Sequence, residues 1–438
     1  MTTVDAAFDE ARAAHARLAG QSRWGEADVI VTAAIEGASA GHRQRFGELI
    51  HVPGGLCSDS QDALMAVMMT NRGAQREAAV AAARRVLAAP RWRLEAFWLA
   101  IVVLFAADEI GYATQALRHA WECLGRAVPT RDRDALALLS GRLAGLVGEP
   151  GRAAELLAGA LDRGVRPGLR DLALAWRVAA LADAGEVQDA YDDLLDAGFV
   201  GALDDAAERI DLLAARATLH AAADRLDLAY ADWLACGRAL GERAVTCPAV
   251  LPWRSRAALC AYAMGRTVFA EALARQESMA AERWGSRRAI GVATHALAVS
   301  IGGDLPLLQQ AEEELVGSQA IGELLRVRHD LALALAAAGK RREAVRLVEK
   351  VRAESGGYRL WKQRADATWH RIVNGTGVAA LTRQERKIAA LARAGHSNRR
   401  IAEEESLTVR TVEFHLSGVY RKLGIAGRRE LMTFFSRI

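Results

Sequence analysis

The run LTRQERKIAALARAG (381–395), followed by HSNRRIAEE (396–404) and ESLTVRTVEFHLSGVYRKLGIAGRREL (405–431), decides how the end of this chain folds. It sets out three short helices and the start of a fourth. Thr382 with Glu385 three residues on is a capping box, in which side chain and backbone cap each other at a helix start. Ile388, Leu391 and Ala392 share one face of that helix. Gly395 stands where a left-handed residue ends it. Ser397 can cap a second helix that buries Ile401 and Ala402, and Thr408 caps a third. Gly424 closes the third helix, with Ile425 placed to fold back on its last turn.

The third helix divides its labour by face. Val412, Leu416, Val419 and Leu423 recur at helical spacing and form one apolar stripe. Arg410, Glu413, Phe414, Ser417 and Arg421 fall on the opposite side, flanked by Thr411, His415 and Lys422. That outer face suits a major groove. Arg and Lys neutralise phosphates, Glu accepts from a cytosine amino group, and Phe touches a thymine methyl. The arrangement is a helix-turn-helix with its third helix as reader.

These residues resemble the DNA-binding domain of LuxR/FixJ-type transcription regulators. The resemblance rests on Leu381-Thr382, Glu385, Gly395-His396-Ser397-Asn398, Ile401-Ala402, Thr411-Val412, His415 and Tyr420-Arg421-Lys422-Leu423-Gly424. Arg383 stands where the family usually has proline. The resemblance implies that Glu413, Phe414 and Ser417 face bases, and that Arg410, Thr411, His415 and Lys422 lie near the DNA backbone. Asn398, Arg399, Thr408 and Arg421 complete the candidate DNA-binding set. It further implies a homodimer on double-stranded DNA, paired through the last helix by Leu431, Phe434 and Phe435, with RNA polymerase as a further candidate partner. On this reading Lys422→Ala weakens binding to every sequence and lowers the salt slope by about 1.

Charge follows the same division. Residues 378–438 hold 12 Arg and Lys against 6 Asp and Glu, while the whole chain is only +4, so the preceding 377 residues are slightly acidic. Positive charge is concentrated where DNA binding requires it. With 52% apolar and 25% charged residues in 438, the chain is long enough for two or three domains with sizeable cores. No apolar run reaches the roughly 18 residues of a membrane span, and the N-terminus lacks a secretion signal, so no membrane partner and a cytoplasmic location are expected. The five cysteines (Cys57, Cys123, Cys236, Cys247, Cys260) lack any C-x-x-C spacing and are expected as small buried apolar residues.

Upstream, alanine- and leucine-rich segments recur between glycine turns. Gly73, Gly111, Gly148, Gly185, Gly265, Gly302 and Gly339 mark a period of about 37 residues, the one doubled gap being filled by a turn near Asp224. Such a period means stacked helix pairs, and the turn followed by alanine resembles tetratricopeptide-type repeats. A non-repetitive helical bundle is the alternative. Leu18–Ala27 reads as another helix junction, and 37–62 as a longer insertion. The ten tryptophans are expected to pack between repeats rather than to line a ligand cage. The loop from Cys247 to Trp253 has no evident role.

The fold expected is therefore all-α: a solenoid of tetratricopeptide-like helix pairs over 1–372, a linker at 373–377 and a four-helix LuxR-type domain over 378–438. The lone Gly339-Lys340 pair is not a phosphate-binding loop, so this sequence resembles the sensor and reader parts of the large ATP-binding LuxR regulators without their nucleotide-hydrolysing module, as either a naturally short relative or the C-terminal portion of a longer protein would. Neither an enzyme nor a cofactor is expected. The reading is a transcription regulator controlled by a small-molecule or protein effector on the helical repeats. The alternative is a helical-repeat interaction scaffold with secondary DNA binding.

Overall fold

The computed structural model describes residues 58–89, 93–124, 130–165, 167–201, 203, 209–373, 381–405, 407–423, 425, 427–428 and 431. Among them are twenty helices and no strand. The chain packs as two compact units, Met1–Val327 with Gly357–Leu360, and Arg328–Gly356 with Trp361–Ile438.

The helices follow in antiparallel pairs. They are α1 (Ser58–Asn71) and α2 (Arg76–Ala88), α3 (Leu94–Ala106) and α4 (Ile110–Leu124), α5 (Thr130–Leu146) and α6 (Pro150–Asp162), α7 (Pro167–Ala184) and α8 (Val187–Asp196). Next come α9 (Arg209–Ala222) and α10 (Leu226–Glu242), α11 (Trp253–Ala263) and α12 (Thr267–Trp284), α13 (Arg287–Ser300) and α14 (Leu305–Val316), and α15 (Ile321–Ala337) and α16 (Arg341–Glu354). A helix α17 (Arg359–Val373) ends the series. From α1 to α14 each packs chiefly on helices one or two positions away in sequence, the pattern of a solenoid. Alanine at the contacts lets helices approach closely. Ala79, Ala113, Ala153, Ala190, Ala229 and Ala270 are all buried.

One device makes the turns within pairs. The backbone N–H of Glu149 donates to the Ala144 carbonyl, Glu186 to Leu181, Arg225 to His220, Arg266 to Ala261 and Lys340 to Leu335, all at 2.8–2.9 Å. The residue just before each donor takes positive φ: Gly148 92°, Gly185 89°, Asp224 58°, Gly265 78° and Gly339 78°. This is the Schellman ending, in which a left-handed residue returns a later N–H to the last helical carbonyls. Glycine recurs at the turns because most side chains are strained there. The Gly111 marker needs correcting. The left-handed residue of that pair is Asp108 (φ 65°), with Glu109 donating to Leu104, and Gly111 sits inside α4. Asp tolerates the conformation well enough to replace glycine.

Within the first unit, distant segments meet. Trp284, 2% exposed, donates from Nε1 to the carbonyl of Ala106 at the end of α3 (2.9 Å). Thr246 and Cys247 donate backbone N–H groups to the Asn71 carbonyl at the end of α1 (2.8 and 3.1 Å). The loop between α10 and α11, which had no evident role in the sequence, thus closes against the first described pair. Cys236, Cys247 and Cys260 are buried as expected, but Cys123 is exposed beside His119, on the outer side of α4. Leu18–Ala27 and most of 37–62 lie outside the described residues, although Ser58–Asp62 open α1 rather than belonging to an insertion.

Three short helices follow in the second unit, α18 (Arg383–Arg393), α19 (Asn398–Glu404) and α20 (Val409–Leu423), while most of the expected fourth helix lies outside the described residues. Their core is Leu381, Ile388, Ala392, Ile401, Val412, Leu416 and Val419, all at most 3% exposed.

Candidate nucleic-acid interface

The caps form as the sequence dictates. Thr382 Oγ1 accepts from the Glu385 N–H (3.2 Å), and Glu385 Oε2 accepts from the Thr382 N–H (2.7 Å). Gly395 takes φ 89° after α18. Ser397 Oγ accepts from Arg400 N–H to start α19 (3.3 Å), and Thr408 Oγ1 accepts from Thr411 N–H to start α20 (3.1 Å). Ile425 donates back to Tyr420 O (3.0 Å) and packs on the core. Each bond satisfies a group that a helix end would otherwise leave open.

These caps aim α20 outward with one face free. Val412, Leu416 and Val419 are buried, whereas Arg410, Glu413, Phe414 and Ser417 are exposed. Phe414 is 76% exposed, with the partly buried His415 ring edge-on at 6.0 Å. Thr408 and Thr411 share a hydroxyl hydrogen bond of 2.7 Å at the start of the same helix. Arg399, on α19, is exposed and among the described residues pairs with its helical neighbour Glu403 (3.3 Å). Such an exposed pair holds a side chain weakly, so its guanidinium is easily given up to another anion. The side chain of Arg421 lies outside the described residues, as do Phe434 and Phe435.

Three of the site residues expected from sequence are committed inside the domain. Lys422 Nζ contacts both oxygens of Glu385, at 2.8 and 2.6 Å, which ties the end of α20 to the start of α18. Burial pushes the Glu385 carboxyl up, but Lys422 and the two Thr382 bonds together outweigh it and hold the group below its ordinary value. In this structure Lys422 braces the end of α20 against the start of α18. Asn398 Oδ1 accepts from Arg428 Nη1 (2.8 Å), while Arg428 Nη2 reaches the Ala392 and His396 carbonyls. Asn398 is the first residue of α19, and this clamp fixes the α18–α19 corner. Leu431 is fully buried in the domain core, so it does not belong to an exposed pairing patch. Sequence reasoning missed Arg428 altogether. Its partners are two backbone carbonyls and an amide some 30 residues away, which no local spacing reveals.

The family model described as "Bacterial regulatory proteins, luxR family" matches residues 379–435. This segment is a LuxR-family helix-turn-helix domain. The match coincides with the region of capped helices and with the exposed face of α20. The chain is accordingly a DNA-binding transcription regulator. No curated protein matches it. Among the described residues no helix is long and apolar enough to cross a membrane.

Proposed function

We propose that this LuxR-family domain reads the major groove with α20, and that the helical repeats control it through a bound effector. The observation that carries the first part is the contiguous exposed face of Arg410, Glu413, Phe414 and Ser417 on a domain of net charge +6. An aromatic ring so far from any core is costly to leave in water and is suited to an apolar contact such as a thymine methyl. Glu413 selects cytosine through its amino group, and Arg410 neutralises a phosphate. The domain organisation that goes with this reading is tetratricopeptide-type repeats over 1–372, a linker at 373–377 and the reader domain over 378–438. Two copies would bind half-sites about one helical turn apart.

The test is selection of genomic fragments with the full-length protein in about 150 mM salt, followed by footprinting. A discrete, near-palindromic site is expected. Glu413→Ala should then change the preferred base at one position per half-site. Arg410→Ala should weaken binding to every sequence and lower the slope of log K against log salt by about 1. An unchanged base preference in Glu413→Ala would remove that residue from the readout.

A further inference from the structure

The first unit contains a cavity of about 360 Å³ that opens to solvent. Its walls come almost wholly from the first helix of successive pairs (α1, α3, α5, α7, α9, α13 and α15), and the loop 243–252 covers one side. A space of this size suits a small organic molecule.

One wall is apolar and flat. Trp98 of α3 stacks on Trp176 of α7, with ring centroids 6.0 Å apart and planes within 6°. Trp176 is held by two further groups, one at its edge and one over its ring. Its Nε1 donates to Asp211 (3.2 Å), and the Arg142 guanidinium lies 5.5 Å from its ring centroid. Leu99, Leu172 and Val292 extend the apolar surface.

The other wall is cationic. Arg142, Arg243 and Arg288 all line the cavity, and among the described residues none of the three guanidinium groups donates a hydrogen bond to a protein acceptor. The nearby carboxylates are otherwise engaged. Glu323 takes Arg256, with Arg326 3.9 Å away, and Asp211 takes the Trp176 ring N–H. Asp108 accepts the backbone N–H of Arg288, and Glu95 has a partner of its own. Burial, with the repulsion of Arg288 second, holds Arg142 below its ordinary range. Asp211 and Asp183 attract Arg142 electrostatically without hydrogen-bonding its guanidinium, and burial raises both carboxyls. Guanidinium groups remain charged at neutral pH. Asp211, Glu323 and Asp108 balance part of that charge from a distance, but none of them takes a hydrogen bond from the three guanidinium groups.

We infer that this cavity is a binding site for an organic acid, a small molecule with an apolar body against the Trp98–Trp176 wall and one anionic head held by Arg142 and Arg288. A carboxylate or phosphate would accept several guanidinium N–H groups at once and offset their desolvation, which a neutral ligand cannot do. The inference deepens the reading of the repeats as the effector-responsive part and rests on it only for the consequence at DNA.

Anilinonaphthalene sulfonate, which has an aromatic body and an anionic head, is a suitable probe, with N-phenyl-1-naphthylamine as its counterpart lacking the head. In fluorescence titrations of the full-length protein, the sulfonate should saturate one site and the neutral amine should bind at least tenfold more weakly. Arg142→Gln and Arg288→Gln should each weaken the sulfonate at least tenfold and leave the amine within twofold. The amine titration also shows that each variant keeps the cavity, and Arg243→Gln supplies a third variant outside the helices. Sulfonate affinity that is unchanged in Arg142→Gln or in Arg288→Gln, equal affinity for both probes, or no saturable binding would overturn the site. Sulfonate binding as expected, with no change in retention of operator DNA, would leave the site standing and overturn effector control.

Discussion

Trp284→Ala is expected to destabilise the first unit by about 3–5 kcal/mol, the range for removing a large aromatic from a packed core. Two terms add. The indole is 2% exposed, so its loss leaves a cavity that rigid neighbouring helices fill only in part. It also leaves the Ala106 carbonyl, one of the open acceptors at the end of α3, without the Nε1 donor that reaches it from 178 residues away. Trp284→Phe separates them, because phenylalanine keeps much of the volume and none of the hydrogen bond. Its cost should be about 1–3 kcal/mol. Urea unfolding of the full-length protein followed by far-UV circular dichroism measures both. A loss below about 1 kcal/mol for Trp284→Ala would show that the meeting of α3 with the end of α12 contributes little to the unit, and that nearest-neighbour packing suffices.

That long-range contact illustrates which features were legible in the sequence. Helix ends were, because they depend on local chemistry: the Thr382–Glu385 capping box, Ser397, Thr408 and the left-handed Gly148, Gly185 and Asp224 all stand where their residue types require. The apolar stripe of α20 was legible for the same reason, since 3.6-residue periodicity maps directly onto burial. Gly111 misled because positive φ is a property of the backbone, and Asp108 satisfies it three residues earlier. Exposure of single residues in the reader domain was less accessible. Leu431 reads as a surface apolar residue beside Phe434 and Phe435, yet it completes the core formed by Ile388, Val412 and Val419. Trp98 and Trp176 are 78 positions apart, more than two repeats of the chain. Only the way successive first helices turn to face one another brings them together with Arg142 and Arg288, and that geometry has no signature within a single repeat. Tryptophans such as Trp233 and Trp284 do pack between helices, as composition suggests, while this pair lines a cavity.

Lys422→Ala is expected to destabilise the LuxR-family domain by about 2 kcal/mol, since it leaves the 7% exposed Glu385 carboxylate without its cation. The consequence depends on pH. Glu385 is held below its ordinary value in the folded domain, so its contribution is fully present above the unfolded value near about 4.3 and is lost as pH falls through the lower folded value. Melting of the wild-type domain should therefore fall more steeply on acidification below about pH 4.5 than melting of Lys422→Ala. The Glu385→Gln, Lys422→Ala double-mutant cycle should show a coupling of about 1–2 kcal/mol. The effect on DNA also separates a strut from a phosphate ligand. If Nζ is engaged by Glu385 at 2.6 Å, Lys422→Ala lowers DNA affinity only as far as it unfolds or loosens the domain, and the salt slope stays that of the wild type. Arg410→Ala, with an exposed guanidinium, lowers that slope by about 1 without changing the melting temperature. A slope reduced by one in Lys422→Ala, with melting unchanged, would return Lys422 to the DNA backbone and require its bond to Glu385 to open on binding.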